Sequence, residues 1–313
     1  MKIIKSKRLA LGDVIGIISP ASSPDDLSTI ETGVKYLESL GYRVEVGKNV
    51  GKVHGYLAGS TEDRLDDLHS MFKNKDVRAI FCVRGGYGST RMLDKIDYNL
   101  IKRNPKIFVG YSDISALQLA FFHKTGLVTF AGPMVSIDFS GEVSKYTEEI
   151  FWRLITSNKS YGKIELPDGE KISALKKGTV KGRILGGNLA LISSLVGTDY
   201  LPDMRDKILF IEEVGELPYR IDRMLNQLRL SKILNHVKGV ILGAFIDCNE
   251  TDPTKRTLSL GEVMEDYFGR LDIPVVYNFK HGHIKDNVTI PLGIMFKLNA
   301  SRNSIEITEG AVS

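Results

Sequence analysis

The stretch KIFVGYSDISALQLAFFH, residues 106–123, carries a short apolar strand straight into an apolar helix. KIFVG is rich in β-branched and aromatic residues, whereas SALQLAFFH keeps the continuous apolar character of a buried helix. Only GYSD (110–113) separates the two, so Ser112 stands on a tight turn at the end of the strand. A strand that turns directly into a helix is typical of parallel α/β sheets.

The same alternation of strands and helices extends on both sides of this stretch. One helix is predicted from Ser23-Pro24 to Gly41, and another is capped by Ser60 or Thr61. Near-continuous apolar strands need a sheet covered on both faces, so the pattern predicts an α/β lobe with a flavodoxin-like or Rossmann-like parallel sheet. The predicted strands are VIGIIS (14–19), YRVEV (42–46), RAIFCV (78–83), KIFVG (106–110) and LVTFAG (127–132).

The length of 313 residues exceeds one typical domain and fits two. A helix at about 144–156, which bears Trp152, ends the first lobe, and the polar stretch 157–178 crosses to the second. We therefore predict an N-terminal α/β lobe at 1–160 and a mixed α/β, β-rich C-terminal lobe at 161–313. The predicted elements of the second lobe are the strand KILFIEE, a helix at 218–230, the strand GVILGAFI and a helix near 260–268.

The composition excludes several classes of protein. Hydrophobic residues at 42% and charged residues at 26% are ordinary for a globular chain, and 30 glycines with 10 prolines are too few for a collagen-like or disordered one. Lys and Arg number 42 against 38 acidic residues, without a basic run, which predicts no nucleic-acid partner. No apolar run approaches the roughly 18 residues of a membrane span, so we expect no membrane segment.

The chain start and the cysteines indicate the compartment. Asp13 interrupts the apolar stretch that follows the basic start, so the sequence does not fit a signal peptide. Cys82 and Cys248 each lie in an apolar, strand-like run, and we interpret them as buried free thiols, with a disulfide or a metal site as the alternatives. We expect a cytoplasmic protein.

Ser112 has two interpretations. A serine on a tight strand-to-helix turn projects its hydroxyl at the carboxyl edge of the sheet, where the amide of Asp113 points toward a developing oxyanion. The alternative is a helix N-cap, a common role of serine at a helix start. The glycine that follows two residues after a hydrolase nucleophile is absent, because Ile114 stands there.

A glycine-rich loop, RGGYGS (84–89), directly follows the strand RAIFCV. Glycines let the backbone approach a ligand closely, and free amides bind an anion or complete an oxyanion hole. The loop has neither GxGxxG spacing nor the lysine of a P-loop, so a nucleotide site, a plain turn and an oxyanion or carboxylate cradle all remain open. Because this loop and Ser112 both follow parallel strands, we expect them at the same edge of the sheet.

A serine nucleophile needs a base and an orienting acid. Of the six histidines, His281 and His283 flank a glycine in a loop after the apolar run IPVVYNF, a position that suits a catalytic base. The acid is sought at the end of a strand, and chain order Ser, acid, His occurs in many serine hydrolases. The candidate acids at strand ends are Glu212, Glu213, Glu216 and Asp247.

Taken together, six segments of the chain resemble the LD-carboxypeptidase family of serine peptidases, which includes murein tetrapeptide carboxypeptidases and microcin C immunity proteins. They occur in the order and spacing of that family and span most of the chain. The segments are RGGYGSTRMLDKIDY (84–98), GYSDISAL (110–117), GPM (132–134), GRILGGNL (182–189), IEEVGELPYRIDRML (211–225) and GHIKDNVTIPLG (282–293).

The resemblance implies a role for each matching residue. Ser112 would be the nucleophile, Glu212 the acid and His283 the base, while the amides of Asp113 and Gly86 would bind the oxyanion. Gly85 stays an alternative to Gly86. Family members remove a C-terminal D-amino acid from an L-centre, notably the terminal D-alanine of murein tetrapeptide in cytoplasmic cell-wall recycling. They need no metal or other cofactor, and they are often homodimers.

Two points stay open in the sequence. Arg84 has the fork geometry to bind the free carboxylate of a small peptide substrate, or it pairs with a nearby acid. The second branch of the family cleaves aminoacyl-adenylate analogues, and Trp152 lies away from the acid segment, which favours the murein branch. A non-catalytic protein that binds a small anion at the same sheet edge is the alternative from another class.

Overall fold

The computed structural model describes residues 2–167 and 169–313. Residue 168, in the predicted crossing segment, lies outside this part of the chain. The strands are β1 (Val14–Ile18), β2 (Arg43–Val46), β3 (Val77–Cys82), β4 (Ile107–Gly110), β5 (Thr129–Ala131), β6 (Gly162–Lys163), β7 (Ser173–Lys176), β8 (Thr179–Asn188), β9 (Lys207–Val214), β10 (Gly239–Ile246), β11 (Val275–Tyr277), β12 (Ile290–Leu292), β13 (Met295–Asn299) and β14 (Ser304–Ile307).

Helices connect the strands of both halves of the chain. Short 3-10 turns add to them at Ser89–Lys95, Ser112–Ile114 and Ala300–Arg302, and a π-helical turn follows at Glu265–Gly269. The α-helices are α1 (Ser28–Ser39), α2 (Thr61–Lys73), α3 (Tyr98–Arg103), α4 (Ser115–Thr125), α5 (Lys145–Thr156), α6 (Leu189–Leu195), α7 (Pro218–Leu230), α8 (Ile233–His236) and α9 (Leu260–Met264).

The first sheet has six strands in the order β12-β5-β4-β3-β1-β2. Strands β1 to β5 are parallel, and their order 2-1-3-4-5 is that of flavodoxin-like folds, which confirms the predicted α/β lobe. In such sheets ligands bind beyond the carboxyl ends of the strands, near the point where the strand order reverses. Here that point lies between β1 and β3, directly before the glycine-rich loop.

The last strand of the first sheet comes from the second half of the chain. β12 runs antiparallel to β5, with Ile290 opposite Ala131. The chain end also returns to the first lobe, where the Ser313 amide donates to the Ser6 carbonyl at 2.9 Å. The predicted division at residues 160 and 161 stays a prediction.

The second sheet has eight strands in the order β6-β14-β13-β8-β9-β10-β11-β7. Its central strands β8 to β11 are parallel, and each outer strand pairs antiparallel with its neighbours, as expected of a mixed, β-rich lobe. Asn188, Val214 and Ile246 therefore end their strands at one edge. The buried apolar side chains of both sheets form one continuous core.

The local signals of helix starts were partly correct. Ser60 caps α2 in a capping box with Asp63, as predicted. The predicted start of the first helix at Ser23-Pro24 is wrong, because α1 begins at Ser28. The Ser23 hydroxyl donates instead to the Lys52 carbonyl at 2.6 Å, which ties two loops together. Both cysteines are buried free thiols, as predicted.

Candidate active site

Ser112 has a backbone conformation that few residues other than glycine adopt. β4 ends at Gly110, Tyr111 is extended, and Ser112 has φ +62°, in the left-handed region. The N-cap positions of the 3-10 turn and of α4 are Tyr111 and Ile114, and neither has a side-chain cap hydrogen bond. The N-cap interpretation of Ser112 is therefore wrong. Strained backbone at a strand-to-helix turn is typical of an exposed nucleophile.

The glycine-rich loop lies directly against this turn. A Cβ placed on Gly85 would lie 2.9 Å from the Ser112 Cβ and 3.0 Å from its Oγ. Gly86 has φ +106°, and a Cβ there would lie 2.3 Å from the Ser22 Oγ. Ser22 also accepts the Tyr87 amide at 3.1 Å. Glycine is thus required at positions 85 and 86 by close approach to two serines.

The Asp113 side chain joins the two loops. Its carboxylate accepts the Ser89 amide at 2.8 Å, and the Ser89 hydroxyl donates to the Asp113 carbonyl at 2.6 Å. Burial raises the pKa of Asp113. On the other side of the loop, the Arg64 guanidinium donates to the carbonyls of Gly88 at 2.7 Å and Pro20 at 2.8 Å. The loops after β1, β3 and β4 are therefore fixed relative to one another.

The amides next to Ser112 remain available to a ligand. Within residues 2–167 and 169–313, the backbone amides of Gly85 and Gly86 donate no hydrogen bond. The Asp113 amide nitrogen lies 3.4 Å from the position of a Cβ on Gly85, which brings it beside the same loop. Backbone N–H groups that converge beside a nucleophile form an oxyanion hole in acyl transfer.

Glu212 and His283 form a hydrogen-bonded pair. The Glu212 carboxylate, near the end of β9 and 1% exposed, accepts from the His283 Nδ1 at 2.9 Å. Because the carboxylate only accepts, Nδ1 carries the proton and Nε2 keeps a free lone pair. Burial lowers the pKa of His283, but the hydrogen bond and charge of Glu212 outweigh it, so the pKa is raised overall. This arrangement makes the imidazole a base with a fixed tautomer.

The histidine loop runs from β11 to β12 and is braced at several points. His281 is buried, its Nδ1 donates to the Val288 carbonyl at 2.6 Å, and burial lowers its pKa to about 4. The Asn287 amide donates to the Thr147 hydroxyl of α5 at 2.8 Å. His281 therefore stays neutral and shapes the loop that presents His283.

The other candidate acids have different partners. Glu213 accepts from the Asn188 side chain at 2.7 Å and from the Ala190 amide at 2.8 Å, so it caps the start of α6. Glu216 pairs with Arg220 at 3.4 Å. Asp247 is exposed and has a left-handed backbone with φ +54°. Of the four acids, Glu212 is the one that bonds His283.

The serine turn and the imidazole meet through Tyr111. Its buried ring lies edge-on to the His283 ring, with centroids 5.2 Å apart. In the part of the chain that the structure describes, the Ser112 hydroxyl makes no hydrogen bond to His283. Long nucleophile–base distances are common in the absence of substrate and shorten in the reacting complex.

Arg84 has no acidic partner among the described residues. It is partly buried, and its buried Nε lacks an acceptor. The interpretation that Arg84 pairs with a nearby acid is therefore wrong. A guanidinium without a carboxylate beside it retains the capacity to bind one.

Two cavities lie in this part of the molecule, and only the second is lined by residues of the histidine loop. One, of about 680 Å³, opens at Ser112 between the lobes and includes Gly86 and Asn188 in its wall. A second, of about 870 Å³, lies against the ends of β10 and β11 and touches Ile284. Across residues 2–167 and 169–313, no cluster of three or more His, Cys, Asp or Glu side chains could hold a metal ion. No helix there is long and apolar enough to cross a membrane.

Two family models cover most of the chain. The LD-carboxypeptidase N-terminal domain matches residues 15–132, and the LD-carboxypeptidase C-terminal domain matches residues 181–298. The chain belongs to the LD-carboxypeptidase family. It is therefore an enzyme, a serine peptidase of carboxypeptidase type, and not a non-catalytic binder.

Individual relatives of this LD-carboxypeptidase agree with that assignment. A probable murein peptide carboxypeptidase of Bacillus subtilis strain 168 is 40% identical over 309 residues, or 98% of this chain and 95% of that protein. The crystal structure of muramoyltetrapeptide carboxypeptidase from Oxalobacter formigenes is similar with a TM-score of 0.83 at 32% identity, covering 96% and 99% of the two chains. The microcin C7 self-immunity protein MccF, solved with aspartyl sulfamoyl adenosine, gives a TM-score of 0.90 at 29% identity over 99% and 100%.

Sequence reasoning missed parts of the LD-carboxypeptidase site. Asp138 lies six residues after the GPM segment begins, and its carboxylate accepts the Met134 amide at 2.7 Å. Burial raises the pKa of Asp138 to about 6, while the nearby charge of His283 opposes the rise. Arg64 was missed as well, although its position on the buried face of α2 was a signal, since a buried arginine needs several acceptors.

Proposed function

We propose that this enzyme hydrolyses the L,D-peptide bond to the terminal D-alanine of murein tetrapeptide through Ser112, His283 and Glu212. The observation that carries the proposal is the hydrogen bond between Glu212 and His283, beside a strained serine turn. Relatives named murein carboxypeptidases support the substrate class. Cytoplasmic location and homodimer formation stay predictions.

In the first half of the reaction, the Ser112 hydroxyl attacks the carbonyl carbon of the third residue. His283 Nε2 accepts the serine proton as the C–O bond forms, and Glu212 stabilises the imidazolium that results. The amides of Asp113 and Gly86 would hold the negative oxygen of the tetrahedral intermediate. The C–N bond then breaks, His283 returns its proton to the leaving amine, and D-alanine departs.

In the second half, water hydrolyses the ester on Ser112. His283 accepts a proton from the water, whose oxygen attacks the acyl carbon, and then returns that proton to the serine oxygen as the ester bond breaks. The tripeptide leaves with a new carboxyl group. Arg84, which has no acidic partner among the described residues, would bind the free carboxylate of the departing D-alanine.

A second candidate function is cleavage of aminoacyl-adenylate analogues. The likeness to MccF bound to aspartyl sulfamoyl adenosine favours it. Against it, the Trp152 ring stacks on Tyr42 with centroids 5.2 Å apart inside the first lobe and is not available as a platform for adenine. We therefore place the murein substrate first.

The test is incubation with murein tetrapeptide in the presence of a chelator. We expect tripeptide and D-alanine from the wild type, and loss of both products in Ser112→Ala and His283→Ala. His236→Ala, an exposed histidine at the end of α8, serves as the matched control and should act like the wild type. Equal hydrolysis by the wild type and the two site variants would contradict the triad. Cleavage of aspartyl sulfamoyl adenosine alone would favour the second function.

A further inference from the structure

The cavity at Ser112 has walls from both lobes. The first lobe contributes Tyr87, Leu93 and Asp94, from the glycine-rich loop and the 3-10 turn that follows it. The second lobe contributes α6 and the end of β9, including Leu191 and Glu216. Since Ser112 lies in the same wall, a substrate side chain that fills this cavity belongs to a residue close to the carbonyl that Ser112 attacks.

The charges around this cavity have one sign. Its lining contains Asp94, Asp113, Glu213 and Glu216 and, within the described part of the chain, no lysine, arginine or histidine. Asp113 and Glu213 are buried, and their carboxylates already accept the backbone amides of Ser89 and Ala190. Asp94 is exposed and forms no ion pair with any described residue. Glu216 has Arg220 as its partner, at 3.4 Å.

The rest of the lining is largely apolar near the nucleophile. Leu93, Leu191, Leu195 and Val214 contribute methyl groups to the wall that contains Ser112. A substrate side chain that fits both the apolar lining and its negative charge has an apolar stem several methylenes long and a cationic end. A carboxylate in the same cavity would meet two carboxylates and no cation of the lining.

The charge also fixes which side of the scissile bond the cavity serves. The leaving D-amino acid carries a free carboxylate, which Asp94 and Glu216 would repel. Arg84, the proposed partner of that carboxylate, is not among the residues of this cavity. The cavity therefore suits the acyl side, where the third residue of the peptide is a diamino acid.

Building on the proposed function, we propose that this cavity binds the side chain of the third residue and selects lysine over diaminopimelate. Both residues carry an ammonium group at the end of a methylene stem, but diaminopimelate adds a carboxylate beside it. Asp94 and Glu216 attract the first group and repel the second. Discrimination rests on the unfavourable contact as much as on the favourable one.

The test compares tetrapeptides that differ only at the third residue: lysine, Nε-acetyl-lysine and meso-diaminopimelate. Ion pairs of the ligand ammonium with the exposed Asp94 and the half-buried Glu216 support a preference in kcat/KM of about 3- to 20-fold for lysine over the other two. The preference should fall toward unity at about 1 M salt, where the Debye length is about 3 Å. Equal kcat/KM values, or a preference for diaminopimelate, would overturn the selection but leave the proposed function intact. Cleavage of none of the three would overturn the proposed function, and the selection with it.

Variants identify the residues responsible. Asp94→Asn and Glu216→Gln should each lower the lysine-to-diaminopimelate ratio, and Glu216→Lys should reverse it. Glu165→Gln is the control, because Glu165 is exposed like Asp94 and paired with one cation like Glu216, with Lys163 at 2.8 Å, but lies outside the cavity. A wild-type ratio in both Asp94→Asn and Glu216→Lys would overturn the assignment of the cavity.

Discussion

Replacing Gly85 by alanine should inactivate the enzyme while leaving its fold nearly intact. The added Cβ would lie 2.9 Å from the Ser112 Cβ and 3.0 Å from its Oγ, whereas carbon atoms in contact prefer about 3.5–4.0 Å. The serine or the loop must therefore move by roughly 0.6–1 Å. A displacement of about 1 Å at a reacting group lowers the rate by about 100-fold. Gly85 has no positive φ, so alanine adds no backbone strain.

The measurement is kcat/KM with murein tetrapeptide, together with the rate of Ser112 labelling by a fluorophosphonate. Labelling reports the nucleophile directly and does not depend on the identity of the substrate. Gly141→Ala is the matched control, because no atom lies within 4 Å of a Cβ at that position and its φ is not positive. Thermal unfolding of both variants separates inactivation from loss of fold. Wild-type labelling and kcat/KM in Gly85→Ala would refute the close approach of loop and nucleophile.

Three further predictions concern the groups around the nucleophile. His283 must be neutral to act as a base and its pKa is raised, so activity should disappear on acidification at a higher pH than for an ordinary imidazole. Glu212→Gln should move this acid limb of the kcat/KM profile to lower pH, and an unmoved limb would contradict the pairing of Glu212 with His283. Asp113→Ala strands the buried Ser89 amide and should lower the free energy of unfolding in urea by about 1–3 kcal/mol, with slower fluorophosphonate labelling. Glu213→Ala should lower stability by a similar amount, about 1–3 kcal/mol. It should move the acid limb to lower pH by less than Glu212→Gln does, because the charge of Glu213 raises the pKa of His283 without a hydrogen bond to the imidazole; an equal or larger shift would contradict the assignment of Glu212 as its partner.

The candidate triad could be predicted because each residue stands at a position that topology fixes. Ser112 and Glu212 come at or near the carboxyl ends of parallel strands, where side chains from different strands converge. His283 follows a strand of the same sheet as Glu212. Apolar runs and their order along the chain place the candidates at the edges of two sheets, but they leave four acids and two histidines open. The resemblance to the family selected Glu212 and His283 among them.

The supporting contacts could not be predicted, because they join residues that neither period nor motif connects. Glu213 differs from Glu212 only by the face of β9 on which it lies, and its partner Ala190 belongs to a helix much earlier in the chain. Asp138 follows an irregular segment without strand or helix pattern. The Ser23 cap was wrong for a related reason, since a loop carbonyl distant in sequence competes for that hydroxyl.

The position of β12 has a consequence for when the enzyme becomes active during synthesis. The loop that presents His283 connects β11 of the second sheet with β12 of the first. Both ends of this loop are therefore fixed only after β12 has paired with β5. On the ribosome β12 emerges well after β5, and until then β5 has an open edge. Nascent or C-terminally truncated chains would therefore carry the nucleophile without a positioned base. The fold therefore makes peptidase activity depend on the pairing of β12 with β5, because that strand closes the first sheet.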